Sequence, residues 1–159
     1  MNQDKLAVDS MLGTVAKKLR MLGFDCSYSA DIEDEDLLVV ARKDGRIIIT
    51  KDTQLANKAK KHDIHSIEVV SPTEKEQLVE IAKKLGIKKY QFGASNARCP
   101  SCNGILRSIQ KTLIVERIPP KISQNVDEFW ICQGCNHIYW EGTHIRNLER
   151  LIAEINEQL

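Results

Sequence analysis

Arg46-Ile47-Ile48-Ile49-Thr50-Lys51-Asp52 is the stretch whose reading decides the fold. Its β-branched run predicts a strand over Arg46 to Thr50. Downstream, a helix is expected over Thr53 to Lys61 and a strand over Ser66 to Val70. Ser71-Pro72-Thr73 followed by Glu76 reads as a helix start, with Thr73 as N-cap and Glu76 as the acid of a capping box. Leu78, Ile81, Ala82 and Leu85 form that helix's apolar stripe, and Gly86 ends it. Upstream, Leu37, Leu38 and Ala41 mark a helix opened by the acidic stretch Asp31 to Asp36, whose charge suits the positive end of the helix dipole. Before it, Cys26 to Ser29 reads as a strand. Leu12, Val15, Ala16, Leu19 and Leu22 recur at helical spacing up to Gly23, and Leu6-Ala7-Val8 is a short strand closed by Asp9.

Strands alternating with helices of this length predict an α/β fold, a parallel sheet flanked by helices. Right-handed crossovers then gather the strand ends that feed helices on one edge, and ligands sit outside the carboxyl ends of the strands. Acids fall at those ends: Asp9 after the first strand, Asp34 and Asp36 at the start of the second helix, and Asp52 two residues past the third strand. Carboxylates crowded together repel unless a cation neutralises them. An oxygen-only set suits Mg²⁺ or Mn²⁺, which can activate water against a phosphodiester. The same positions also suit helix N-caps, and spacing alone leaves both readings open. Arg42, Lys43, Arg46, Lys51, Lys58, Lys60 and Lys61 face two acids in that interval, Asp44 and Asp52. Together with Lys17, Lys18 and Arg20, expected on the exposed side of the first helix, they form either a phosphate track or solvated helix faces.

From about Ala94 the pattern changes. Cys99-Pro-Ser-Cys102 and Cys132-Gln-Gly-Cys135 are two Cys-x2-Cys pairs, with Asn103-Gly104 and Asn136 able to supply left-handed turns. Four thiolates meet the tetrahedral preference of Zn²⁺ and leave no open position, so the expected site is structural. Disulfides and a rubredoxin-like iron site are the alternatives. Structural zinc contributes about 10–16 kcal/mol in peptides, which a small segment poor in large apolar residues needs. His137 and His144 are not required as ligands. Trp130, Tyr139 and Trp140 are read as packing residues, with base stacking as the functional alternative. Glu149 to Leu159 reads as a closing helix. The expected division is residues 1–92 and 93–159.

The 159 residues, 42% apolar and 28% charged, exclude disorder and low complexity. No apolar run is long enough to cross a bilayer, and the N-terminal MNQDKLAVDSML lacks a leader's apolar core, so a cytoplasmic protein is expected. A net charge of +1 means that any affinity for nucleic acid must come from local patches. Cys26 stands alone among the five cysteines and is read as a small buried residue.

Val8-Asp9-Ser10-Met11-Leu12-Gly13, Leu19 to Asp25, Asp34-Glu35-Asp36-Leu37-Leu38 and Ile49-Thr50-Lys51-Asp52 resemble the Mut-seven C-terminal ribonuclease domain family. Cys99 to Asn103, Phe129-Trp130-Ile131-Cys132 and Tyr139 to His144 resemble its second half, so the likeness covers almost the whole chain. The family joins a PIN-like nuclease domain to a zinc ribbon. The resemblance implies a metal-dependent endoribonuclease acting on RNA, with Asp9, Asp34 and Asp52 holding Mg²⁺ or Mn²⁺ and Thr50 as a supporting hydroxyl. Asp31 or Asp36 could stand in for Asp34, and Gln54 occupies the place of a further acid. Lys17, Arg20 and Lys51 would contact RNA phosphates, and Cys99, Cys102, Cys132 and Cys135 would hold Zn²⁺. Two other functions fit the same residues: a non-catalytic RNA- or ribosome-binding module, and a phosphohydrolase acting on small nucleotides.

Overall fold

A computed structural model describes residues 3–159. Met1 and Asn2, the first two residues of the segment read above for a leader, lie outside the described residues. The α/β expectation holds. Strands β1 (Leu6–Val8), β2 (Cys26–Tyr28), β3 (Ile47–Thr50) and β4 (Ser66–Glu68) form one sheet in the order β2-β1-β3-β4, parallel throughout. Helices α1 (Gly13–Met21), α2 (Asp34–Asp44), α3 (Thr53–Lys61) and α4 (Glu74–Leu85) connect and follow them. A 3₁₀ turn over Ser10–Leu12 leads into α1. The capping box at Thr73 and Glu76 forms, and Gly86 closes α4 in the left-handed region at φ 72°.

Strand alternation divides the side chains between two cores. Leu6, Val8, Ile49 and Ile67 pack with α1 and α4. Ala7 and Ile48 pack with α2 and α3 on the other face.

The second region is an antiparallel sheet of β5 (Leu106–Ile109), β6 (Phe129–Cys132) and β7 (Ile138–Tyr139), in the order β5-β6-β7. A short helix α5 (Pro120–Asn125) lies in the excursion between β5 and β6. Ile114, Ile118, Phe129 and Ile138 make its small core.

The final helix departs from the sequence reading. α6 spans Thr143–Asn156, starting six residues before Glu149, and its N-cap Gly142 offers no side chain that would mark the start. It also belongs with the first region rather than with the ribbon. Leu148, Ile152 and Ile155 enter the core shared by β1, α1 and α4, while Asn156 brackets the backbone of Tyr90, accepting from its N at 2.8 Å and donating to its O at 3.0 Å. An apolar stripe goes to the larger unfilled face, and here that face is α4. Among the described residues, no helix is long and apolar enough to cross a membrane.

Candidate functional site

β1 and β3 are adjacent, and the connections leaving β1 and β2 run in opposite directions from that pair, so the switch in strand order lies between them. Val8 and Ile49 are register partners, which brings Asp9 and Thr50 off the carboxyl edge side by side. Thr50 in turn pairs with Glu68 of β4. Asp9, Thr50 and Glu68 thus form a row across three strands, on the face covered by α2 and α3. The Thr50 hydroxyl donates to Asp9 Oδ2 at 2.8 Å, and Ser10 Oγ donates to Oδ1 at 3.3 Å. Backbone N–H groups fix the pair: Asp9 donates to Ile49 O at 2.9 Å and Asp52 donates to Thr50 Oγ1 at 2.9 Å. Asp9 is only 5% exposed and Thr50 not at all. No ion pair involving Asp9 occurs among the described residues. A buried carboxylate held by two hydroxyls lacks compensating charge, which is the condition a cation would relieve.

The other two acids stand differently. Asp52 is the N-cap of α3, its Oδ1 accepting from Gln54 N at 2.8 Å and Leu55 N at 3.3 Å. Asp34 is exposed in the first turn of α2, where Glu33 is the N-cap and no side-chain cap bond forms. Asp9 makes no cap bond either. Capping therefore accounts for one of the three acids. The three are not gathered to ligand spacing: among the described residues, the one group of three or more potential ligands within 4.8 Å of one another is the cysteine set. Asp31, which accepts from Ser29 Oγ at 2.5 Å, and Asp36 are exposed like Asp34. Glu68 was missed by sequence reasoning. Its Oε1 accepts from Thr53 Oγ1 at 2.5 Å, and only the β3–β4 register reveals that it shares the row of Asp9.

Lys17 and Lys51 are exposed, on α1 and in the β3–α3 turn. Much of the basic run lies elsewhere. Arg42, Lys43, Lys60 and Lys61 occupy the last turns of α2 and α3, at the sheet edge opposite Asp9, where they complement helix dipoles. Arg20, expected on the exposed side of α1, is 4% exposed. That expectation is corrected, and its cause is given by its partners below.

Cys99, Cys102, Cys132 and Cys135 converge with all sulfurs within 4.8 Å. The Cys99–Cys135 and Cys102–Cys132 separations are 3.7 and 3.4 Å. These are far beyond a disulfide bond. They approach the edge of about 3.8 Å that four sulfurs about 2.3 Å from one ion would share. Asn103 and Asn136 adopt the expected left-handed turns at φ 68° and 60°. At Gly104 an added Cβ would lie 2.6 Å from Cys132 Sγ, so the knuckle admits glycine alone. Burial pushes the Cys132 thiol up, but N–H groups of Cys135 and Gly134 aimed at its sulfur outweigh that and bring it to about 7. Cys102, pushed up to about 12 by burial and by its Cys132 neighbour, and Cys135 are raised instead, so the cradle favours one thiolate, at Cys132.

The model of the Mut7-C RNAse domain matches residues 4–152. The chain belongs to the Mut7-C RNAse domain family. Among curated proteins, none matches it. The Mut7-C match takes in the acid row, all four cysteines and most of α6, so the sheet edge and the four-thiolate ribbon are parts of one family unit.

Within this Mut7-C domain a polar seam joins the two regions. Arg20 Nε donates to Cys26 O at 2.9 Å and Nη1 to Pro100 O, inside the first cysteine knuckle, at 2.8 Å. Its Nη2 reaches Tyr28 O at 3.4 Å. Asn103 of the same knuckle accepts from Cys26 N at 3.0 Å and donates to Asp25 Oδ1 at 2.8 Å. Tyr28 Oη donates to Ser10 O at 3.0 Å, beside Asp9. A guanidinium spent on three backbone carbonyls holds the ribbon to the sheet edge and is not displayed to a polyanion.

Proposed function

We propose that this chain is a metal-dependent endoribonuclease that hydrolyses RNA phosphodiester bonds at the PIN-like edge formed by Asp9, Thr50 and Asp52, with a structural zinc ribbon assisting RNA binding. The observation that carries the reading is Asp9: buried at the switch point, held by two hydroxyls and without a cationic partner among the described residues, in a chain of a ribonuclease-domain family. Hard oxygen donors suit Mg²⁺ or Mn²⁺, and a bound divalent ion would supply an activated water and shield phosphodiester charge. Thr50 orients Asp9 Oδ2 and, through its bond from Asp52 N, sets the turn that presents Asp52. Asp52 commits Oδ1 to the α3 N-terminus and keeps Oδ2 for the site. Asp34, displayed on the first turn of α2, joins from the rim, and Glu68 is the nearest acid in register to fill the place where Gln54 stands. Lys17 and Lys51 lie on the solvent side for phosphate contact. Zn²⁺ is the ion whose ligand chemistry the four cysteines fit.

The non-catalytic RNA-binding module is the rival, favoured by two observations: the capping role of Asp52 and the separation of the three acids. Titrating Mn²⁺ while following RNA cleavage and RNA binding separately decides between them. Cleavage that rises with Mn²⁺ and falls at least about a hundredfold in Asp9→Asn, with the fold intact, supports the enzyme. Binding indifferent to Mn²⁺, with no cleavage at any concentration, supports the module.

A further inference from the structure

We propose that the crevice between the ribbon sheet and the end of α1 is a subsite for a single RNA nucleobase, a reading that rests on RNA being the substrate. Trp130 and Tyr139 are register partners in the ribbon sheet. Alternation places them on the face opposite Phe129 and Ile138, which fill the ribbon's own core. The sheet therefore turns an aromatic pair away from its core, and that pair lines a crevice with Trp140 and with Phe92 of the linker. Its cavity volume is about 50 Å³ and its mouth is open to solvent, so a base would stack across the mouth of this slot rather than be enclosed. Flat apolar walls of this kind take a planar ring by stacking, whichever base it carries. The lining is almost wholly apolar, since Arg98 turns its Nη1 to Asn103 O at 3.0 Å, so a base would be held by stacking alone.

The position of the slot favours a nucleotide strand over other planar ligands. α1 starts beside Asp9 and ends at Met21, which lines the slot. Its 9 residues span about 13 Å at 1.5 Å each, roughly four nucleotides of stacked strand at about 3.4 Å each. Thr14, Lys17 and Met21 fall on one face of that helix at helical spacing. Arg20, on the flank toward the ribbon, donates to Pro100 O, and Lys18, on the other flank, pairs with Glu74 at 2.9 Å. Lys17, exposed on the stripe between them, is therefore left on the path from acid edge to slot. A strand running along α1 would meet the acid edge at one end, a phosphate contact at Lys17 midway, and the aromatic slot at the other end.

The chain has two tryptophans, and both line the slot, so intrinsic fluorescence reports its occupancy. The test uses the zinc-loaded full chain carrying Asp9→Asn, titrated with short 2′-O-methyl oligoribonucleotides in which each base in turn is removed. Tryptophan emission should be quenched on binding, and loss of one particular base should weaken affinity about tenfold while its neighbours matter little. Ala94→Phe, which fills the slot from its rim without removing a packing aromatic, should abolish the emission change and weaken binding to a similar degree. Lys17→Ala should weaken all oligonucleotides alike and lower the salt dependence by about one unit. Binding with unaltered emission, or equal affinity in Ala94→Phe, overturns the subsite. If the wild type cuts RNA but these effects are absent, the subsite fails and the nuclease reading stands. If they appear while the wild type cuts nothing with any divalent ion, the nuclease reading fails and the subsite stands.

Discussion

The α/β region and the ribbon reach stability by different means. Among the described residues, the two cores of the first hold 20 and 8 buried residues, whereas the core of the second holds 4. At roughly 1.5–3 kcal/mol per large buried side chain, four residues do not offset the conformational entropy of a segment this long. The ribbon instead converges four sulfurs, and it borrows the sheet edge through Arg20, Asp25 and Asn103. A region short of apolar burial leans on its neighbour, and its four clustered cysteines could hold a metal that adds to that support. The strongest test of that contrast is metal removal. Chelation, or Cys132→Ser, should strip hydrogen-exchange protection from β5, β6 and β7, because about 10–16 kcal/mol of metal-linked folding energy is lost. Amides of β1 and β3 should keep theirs. Protection retained across the ribbon in metal-free protein would show that its small core suffices.

The seam offers the next largest effect. Arg20→Met preserves the length of the stem but leaves three carbonyls without their charged donor. Lost charge-assisted hydrogen bonds of this kind cost about 3 kcal/mol. The denaturant midpoint should fall, and proteolysis should become faster in the linker near Gly93 to Asn96. Lys17→Ala, on the open face of the same helix, should change stability by less than about 0.5 kcal/mol. Equal effects from the two would mean that Arg20 is not what couples the regions.

In both regions the sequence announced local features plainly and non-local ones not at all. The isoleucine run, the capping box at Thr73 and the stops at Gly23 and Gly86 are local signals, and each lies in the structure where periodicity and cap chemistry placed it. The cysteine pairs were equally legible, because a Cys-x2-Cys knuckle carries its geometry within four residues. Non-local facts were not legible. Arg20 has the helical position of an exposed residue until a knuckle about eighty positions later covers it. The attachment of α6 to α4 depends on which apolar face is left unfilled, and the place of Glu68 beside Thr50 depends on strand register. At the candidate site the sequence named Asp9 and Thr50 but could not tell a cap from a ligand at Asp52, since both need an acid just before a helix.

Acid provides the finest comparison, because one carboxylate held below its ordinary range bonds within the α/β region and another, also on that region, bonds across to the knuckle. For Glu80, burial raises the carboxyl, but Lys84 and the Ser71 N–H outweigh it and bring the group from 4.5 to about 2. Its bonds lie within the α/β region, to Val70, Ser71 and Lys84. For Asp25, burial again raises the carboxyl, and the hydrogen bonds from Arg46 and from Asn103 of the knuckle hold it below 3.8. In both cases the unfolded chain takes up its proton at a higher pH than the folded one, so the stabilisation is complete above the ordinary value and is lost as pH falls through the folded one. The stability difference between wild type and Glu80→Gln should therefore be full above pH 4.5, shrink steadily below it and be gone near pH 2. The difference for Asp25→Asn should shrink as pH falls below 3.8, and should appear in ribbon amides as much as in the sheet. If Asp25→Asn alters only the sheet, the knuckle takes no support from that carboxylate, and the seam rests on Arg20 and on the Cys26–Asn103 bond.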